Sequence, residues 1–393
     1  METLLDPNQQ LSLTDLVVYY YKVQPKLKYH EIVSIINQHH GKHLTLRNLK
    51  NICAKQSLSR KCNVTHEQLC EAIRNEIGTS LSLVGYRQMY ENLTLKYNIN
   101  TSKEKVRLAL LTVDPEGVEQ RRSRTIQRRS YYTDGPGHIF HIDGNDKLKQ
   151  WGFAIHGGID GFSRKILWLS VSTTNNEPIA VANLFLNCVK RFLVAPKILR
   201  MDNGTENVHC NRLQEFFTGE DNRCINSVSV RNQRIESFWS RLKRYRTNWW
   251  IQLFRTMESE GLFNGELESH KELLLFCFMP VIQRELNDML STWNRRSVRQ
   301  SNVSPGGKPD ILFHVPATVG YSFQGTPVEL EDINVASDLI GIIQQPFFKS
   351  KELYDLLMSY SVLHGLSQFN NAEDSLENYV RLLNLLQNDG VYF

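Results

Sequence analysis

At Tyr131 the hydrophobic pattern of the chain changes period. GHIFHIDG (137–144), WGFAIHGGID (151–160) and KILWLSVS (165–172) follow one another closely, separated by GNDKLKQ and GFSR. Short β-branched and aromatic runs bounded by Gly, Asn and Asp read as meandering strands. The texture then alternates. Helical spacing over Ile179–Arg191 precedes a strand at KILRMD, and a helix over Val208–Phe217 follows. A brief strand near Ile225–Val230 leads into a long helix from Gln233. Three meandering strands followed by alternating helices and strands predict an α/β fold, a mixed sheet with helices packed on it.

The flanks are different. Residues 1–125 read as mostly helical. Ile32, Ile35 and Ile36 share one face of a helix over Leu27–Gln38, and Gly41 breaks it. Thr45 can cap a second helix through Lys55, with Leu46, Leu49 and Ile52 on one face. Helix, short Gly-containing turn, helix is the layout of a helix-turn-helix that reads DNA, although without context the pattern is more often a plain helical pair. Arg47, Lys50 and Lys55 on the second helix suit phosphate contacts. A second pair is expected at His66–Glu76 and Ser82–Tyr97. Beyond the sheet region, a helix over Glu266–Asn294 leads to the Pro/Gly segment SPGGKPD, and two helices are expected at Lys349–His364 and Ser375–Gln387.

Charge divides along the same lines. The chain of 393 residues carries a net +5. Ten acids and three bases from Val328 onward give −7, so residues 1–327 carry +12. A basic body with an acidic tail suggests a polyanionic partner for the body, although a soluble basic protein has the same balance. The segment GVEQRRSRTIQRRS concentrates it: Arg121, Arg122, Arg124, Arg128 and Arg129 stand together with no acid among them. That run reads as a DNA-backbone contact, a nuclear localisation signal or a solvated linker. Seven scattered cysteines with no CxxC pair favour a reducing, intracellular compartment. The gaps among His39, His40, Cys53 and Cys62 do not fit paired zinc ligands, so no zinc is expected. No apolar run is long enough to span a bilayer, and METLLDPNQQ lacks the pattern of a secretory signal, so no membrane association is expected.

Three acids stand out by position. Asp143 interrupts an apolar strand in HIDG. Asp202 lies just past a strand end in RMDNGTEN, where Asn203 and Gly204 signal a turn. Glu236 sits in the first turns of a helix in NQRIESFW. A buried carboxylate is costly unless paired or bound to a cation. Two acids at strand ends and one on a covering helix could converge, and clustered carboxylates suit hard cations such as Mg²⁺ or Mn²⁺. A pair of such ions is the apparatus of phosphodiester displacement. Singly, each acid also reads as an ordinary strand-end or turn residue. Asp146 and Asp160 compete as ligands, and both also suit turns.

Around Glu236 the helix is basic, with Arg231, Arg234, Arg241, Lys243, Arg244 and Arg246 beside that one acid. Ser240 and Lys243 lie four and seven residues on, on its face. Beside a metal-binding acid such a surface would grip phosphates. Trp239, Trp249 and Trp250 read as core or interface residues, with base stacking as the alternative. His141 and His156 read as satisfied sheet histidines, and Asn203 and Asn232 as turn formers or supports for the acids.

Taken in order, HIDG, GGIDGFSRKILWL, PKILRMDNGTEN and VRNQRIESFW resemble the catalytic core of retroviral integrases and DDE transposases. DPEGVEQRRSR and HIDGNDKL resemble the lead-in to the core in the integrase-core proteins of animal genomes. The resemblance covers roughly residues 131–310. It implies a ribonuclease H-like, mixed five-stranded sheet flanked by helices. It also implies a division into a helical N-terminal region (1–125), a catalytic core (131–310) and an acidic, mostly helical C-terminal extension (311–393).

By that resemblance Asp143, Asp202 and Glu236 are the catalytic acids and hold two Mg²⁺ or Mn²⁺ ions. Between the second and third lie 33 residues, slightly fewer than is usual in the family. The implied activity is nicking of DNA ends and joining of the 3′-hydroxyl to target DNA, in the nucleus, by a homo-oligomer. Arg121, Arg122, Arg124, Arg128, Arg129, Arg234, Ser240, Lys243 and Arg244 are the implied DNA contacts. Two departures stand out. Ser240 occupies a position where integrases often carry lysine. The zinc-binding HHCC module common at integrase N-termini is missing, so end recognition falls to the helix-turn-helix region. The alternative is a domesticated nucleic-acid-binding protein that keeps the fold without transposing.

Overall fold

The computed structural model describes residues 11–23, 27–58, 62–77, 84–120, 132–220, 223–226, 232–300, 305–341, 351–366 and 369–391. Arg121, Arg122, Arg124, Arg128, Arg129 and Arg231 lie outside the described residues. Packing divides the chain into two compact units, each assembled from separate stretches. One comprises Met1–Pro136, Phe162–Lys165 and Thr292–Gln324; the other comprises Gly137–Gly161, Ile166–Ser291 and Gly325–Phe393.

The first unit is helical. It contains α1 (Leu13–Val23), α2 (Tyr29–Gln38), α3 (Leu46–Lys55), α4 (His66–Ile77), α5 (Tyr86–Lys96), α6 (Lys103–Val113) and α7 (Pro115–Gln120). Leu16, Tyr20, Ile32, Ile35, Ile36, Leu49 and Cys53 form the core shared by α1, α2 and α3. Fully burying a side chain such as Ile32 contributes about 1.5–3 kcal/mol. Thr45 caps α3 as its position suggests, its Oγ1 accepting from the Asn48 N–H at 3.2 Å. The turn between α2 and α3 is pinned by Asn37. Its Oδ1 accepts from the Leu44 N–H at 2.7 Å, and its Nδ2 donates to the Leu44 carbonyl at 3.1 Å. Gly41 takes φ +60 there, a conformation that suits glycine. Arg47, Lys50 and Lys55 are exposed on α3.

Two later stretches complete this unit. Ile311 and Val315 belong to the same core as Leu16 and Tyr20. Lys165 and Asp310 form an ion pair with both side chains buried. The Trp293 Nε1–H donates to the Arg164 carbonyl at 2.7 Å.

The second unit is built on a sheet. Its strands are β1 (Ile139–Leu148), β2 (Phe153–Asp160), β3 (Ile166–Ser172), β4 (Val194–Ala195), β5 (Ile198–Met201), β6 (Cys224–Asn226) and β7 (Thr326–Pro327). Five of them form one sheet in the order β3-β2-β1-β5-β6. β1, β2 and β3 are antiparallel neighbours, whereas β5 runs parallel to β1 and β6 parallel to β5. This is the mixed, helix-flanked sheet of the ribonuclease H-like expectation. The remaining helices are α8 (Pro178–Phe192), α9 (Val208–Thr218), α10 (Gln233–Leu242), α11 (Asn248–Ser259), α12 (Glu268–Arg295), α13 (Pro309–His314, in the helical unit), α14 (Leu330–Ile340), α15 (Lys351–Leu363) and α16 (Ala372–Asn388). Phe254 of α11 joins Trp151, Phe153, Trp250 and Phe278 in an aromatic core.

Three features differ from the sequence reading. GNDKLKQ is not a free turn: β1 runs on to Leu148, with a bulge between Asn145 and Leu148. Asn175 holds that extension, donating from Nδ2 to Asp146 Oδ1 at 2.7 Å. The long helix from Gln233 contains a π-helical segment, Lys243–Thr247, between α10 and α11. And α14 is a third helix where two were expected after Val328; it buries only Ile333 and Ala336, too narrow an apolar face to show as periodicity.

The glycine pair in HGGID makes room for one tryptophan at each residue. A Cβ at Gly157 would come within 2.8 Å of the Trp239 ring, and one at Gly158 would collide with the Trp168 ring. Successive residues of a strand face opposite sides of the sheet. Gly158→Ala is therefore expected to destabilise the protein by about 1–3 kcal/mol through overpacking, read as a lower urea midpoint with unchanged slope. An unaltered midpoint would show that Trp168 moves aside freely.

Candidate active site

Asp143 lies on β1, Asp202 immediately after β5, and Glu236 in the first turn of α10. β1 and β5 are parallel neighbours, in register from Ile139 opposite Ile198 to His141 opposite Arg200, so Asp143 and Asp202 each follow the last paired residues of their strands, His141 and Arg200, by two positions. α10 packs on β1 and β2. It does so because Ile235, Phe238, Trp239 and Leu242 are buried while Ser240 and Arg241 face solvent.

The three acids are partly buried and sense one another. Burial is the main cause lifting Asp143 from 3.8 to about 7, and the negative charges of Asp202 and Glu236 add to it. Glu236 is lifted by burial and by Asp202. Asp202 is lifted by burial and by Glu206. These are the displacements expected where like charges share a low-dielectric corner. Asp202 Oδ1 is buried and accepts no hydrogen bond, an orphaned acceptor of the sort a cation satisfies. Even so, among the described residues no three His, Cys, Asp or Glu side chains are gathered closely enough to hold a metal ion. The acids lie near enough to repel one another without forming a three-ligand cluster among the described residues.

Two neighbours fix this arrangement. The Trp239 indole Nε1–H donates to Asp143 Oδ2 at 2.8 Å and partly offsets the lift on that carboxyl. Asp143 pairs with Gly157 across β2, and the glycine is what lets the ring lie there. Asn232, just before α10, is fully buried. Its Nδ2 donates to the Ile142 carbonyl at 3.0 Å, and its Oδ1 lies 2.7 Å from His141 Nδ1. Since that oxygen can only accept, Nδ1 carries the proton. Burial holds His141 down near 3, and therefore neutral. One amide thus ties the strand bearing Asp143 to the helix bearing Glu236.

The competing acids are accounted for. Asp160 is fully buried and accepts the Gly137 N–H at 2.9 Å. Asp146 accepts from Asn175 and, through Oδ2, from Lys149 Nζ at 3.0 Å. His156 accepts the Trp168 Nε1–H at 3.2 Å. Trp250 is a core residue whose Nε1–H donates to Glu285 at 2.9 Å.

Of the basic residues, Lys243 and Arg244 are exposed at the start of the π-helical segment, and Arg234 is half-buried on α10. Ser240 is exposed, but its hydroxyl donates to the Glu236 carbonyl at 3.2 Å, a bond within its own helix. The sequence reading missed the acceptor role of Asp143 toward Trp239 and the fourth acid, Glu206. Its only local signal is a carboxylate four residues after Asp202 in DNGTEN.

Residues 130–314 match the family model described as Integrase core domain. No curated protein matches the chain. No described helix is long and apolar enough to cross a membrane. With the sheet order β3-β2-β1-β5-β6, residues 130–314 of this chain are an integrase core domain of the retroviral integrase superfamily, a polynucleotidyl transferase family with a ribonuclease H-like fold.

Proposed function

We propose that the protein is a DDE-type DNA transferase in which Asp143, Asp202 and Glu236 hold divalent cations, Mg²⁺ or Mn²⁺. The observation that carries this reading is electrostatic. Three carboxyls from three separate elements are lifted together, and one of them leaves a buried oxygen unsatisfied. The donor set is all oxygen, as hard cations prefer. Such cations supply, when bound, the positive charge that activates an attacking oxygen and stabilises a leaving one in phosphodiester displacement.

The chain's own residues do the rest. Trp239 holds Asp143 in place, and Asn232 fixes the approach of the helix carrying Glu236. Arg234, Lys243 and Arg244 grip the phosphates of the DNA end, beside Ser240. Arg121, Arg122, Arg124, Arg128 and Arg129 neutralise more distant phosphates and direct the protein to the nucleus. The α2–α3 pair recognises element ends, with Arg47, Lys50 and Lys55 on phosphates. Joining requires two ends held together, so the working form is a homo-oligomer.

The test uses the purified chain and a labelled duplex with Mg²⁺ or Mn²⁺. Nicked product is expected with either metal, and joined product when the free 3′-hydroxyl is intact. EDTA should remove both, and a 3′-deoxy end should remove joining alone. Binding without nicking in either metal would overturn this reading. It would favour a domesticated protein that keeps the fold for nucleic-acid binding. One observation leans that way: the Ser240 hydroxyl is turned to its own helix, where integrases often carry lysine.

A further inference from the structure

The helical unit contains a cavity of about 320 Å³. Lys28, Lys103, Arg295 and Lys308 line it, with Glu31 and Glu91 as the acids. All six belong to the stretches that build this unit, residues 1–136 and 292–324. Among the lining residues four cations stand against two carboxylates around a small concave space, and Asp310 adds its negative charge near Arg295.

Two of the cations, Lys308 and Arg295, are held in an environment that disfavours charge, whereas Lys28 and Lys103 are exposed. The Lys308 side chain is only 6% exposed, its Nζ 3.5 Å from Glu31 Oε2. The same Glu31 oxygen already accepts the Lys28 N–H at 2.6 Å, closing the first turn of α2. Burial draws the Arg295 guanidinium below its ordinary value, and the Asp310 carboxylate offsets part of that fall. Lys103 Nζ stands 3.7 Å from Glu91 Oε1 and 5.2 Å from the centre of the Tyr90 ring. Removing cations from water is costly, and an anion placed among them recovers much of that cost. A planar guanidinium with ammonium groups around it matches the several acceptor oxygens of a phosphate better than the single plane of a carboxylate. The volume sits at the small end of ligand sites, which begin at roughly 300 Å³. It suits a phosphate or diphosphate group rather than a large apolar molecule.

We propose that this cavity binds a phosphate-bearing anion through Lys28, Lys103, Arg295 and Lys308. Its source is either a free diphosphate compound or the backbone of a nucleic acid. The site is independent of the three acids on the sheet unit, so it stands or falls separately from the transferase reading.

Calorimetric titration of the full chain with inorganic pyrophosphate tests it, alongside titration with a short DNA duplex. Lys28 and Lys103 are at the rim and exposed, so Lys28→Gln/Lys103→Gln and Lys28→Glu/Lys103→Glu should both fold, which a urea midpoint verifies. Each charge-assisted contact is worth about 1.5–3 kcal/mol, so pyrophosphate affinity should fall at least about tenfold in both double variants. Lys22→Glu, an exposed change outside the cavity lining, should leave it within about twofold, as expected of a solvated surface charge that makes no contact with the anion. Pyrophosphate that competes with the duplex identifies the nucleic-acid backbone as the source. Pyrophosphate that binds without disturbing the duplex identifies a free compound. A tenfold loss of duplex affinity in the double variants, without pyrophosphate binding, also supports the site through the backbone arm. Equal pyrophosphate binding by wild type and double variants overturns the proposal. So does the absence of pyrophosphate binding together with unchanged duplex affinity.

Discussion

Asp202→Asn is expected to remove metal-dependent nicking while leaving affinity for the DNA duplex unchanged. The change keeps the size of the side chain and takes away its charge. Oδ1 of Asp202 is buried and accepts nothing from the protein, so no internal hydrogen bond to that oxygen is lost. Arg234, Lys243 and Arg244, the proposed phosphate contacts, are untouched. Loss of a group that merely supports a metal ligand costs about 10–100-fold in activity. Loss of a ligand itself should cost at least the upper end of that range. Steady-state nicking in Mg²⁺ and in Mn²⁺, with duplex affinity measured in parallel, reads both halves. Nicking within a few fold of wild type would sink the assignment of Asp202. An equal fall in duplex affinity would place the residue in the fold rather than in the chemistry.

The metal-free protein is expected to lose stability as pH rises from about 4 to about 7. Asp143 is the reason. In the unfolded chain its carboxyl ionises near 3.8, whereas in the fold it holds its proton to about 7. Below the lower value both states are protonated and the group contributes nothing. Between the two values the unfolded chain releases a proton that the folded chain keeps, so rising pH favours unfolding. Above about 7 both are ionised and the full penalty, on the order of 4 kcal/mol, is present. Asp202 and Glu236 are displaced in the same direction and steepen the slope. Thermal unfolding in EDTA across this window is the measurement. Asp143→Asn should flatten the profile and raise the midpoint above pH 7, since an amide oxygen can still accept the Trp239 N–H. A wild-type profile that rises or stays level over the same range would show that the corner is better hydrated than its burial suggests.

Much of the sheet was legible because strand signals are local. Each of the first three strands alternates or runs apolar within ten residues and is bounded by turn residues. Five strands and their order of appearance could therefore be read directly from 137–230. Thr45 was legible for the same reason, since a cap depends on the three residues that follow it. The helix α14 was not, because only Ile333 and Ala336 are buried.

The acids were legible as individuals, each by its interruption of an apolar run or its place at a turn. Their mutual repulsion was not, because it follows from β5 adding alongside β1 and from α10 lying across β1 and β2. Gly157 and Gly158 show the limit best. In sequence they are two small residues inside a strand. In the fold they are the spaces that Trp239 and Trp168 fill, and nothing near them in the chain names those partners. Trp239 reads in the sequence as a core or interface residue, with base stacking as the alternative, and it is buried. Its hydrogen bond to Asp143 joins residues 96 positions apart and had no local signature.

The interleaving of chain segments has a practical edge. The family match ends at residue 314, yet Ile311 and Val315 are packed among Leu16, Tyr20 and Ile32, and among the described residues β4 pairs with Thr326–Pro327 alone. Excising 130–314 as a stand-alone enzyme would leave Ile311 bare of its neighbours and an unclosed strand edge, both invitations to self-association. Recombinant work on this protein should keep its first 120 residues, because removing them is surgery on a shared core rather than trimming of an appendage.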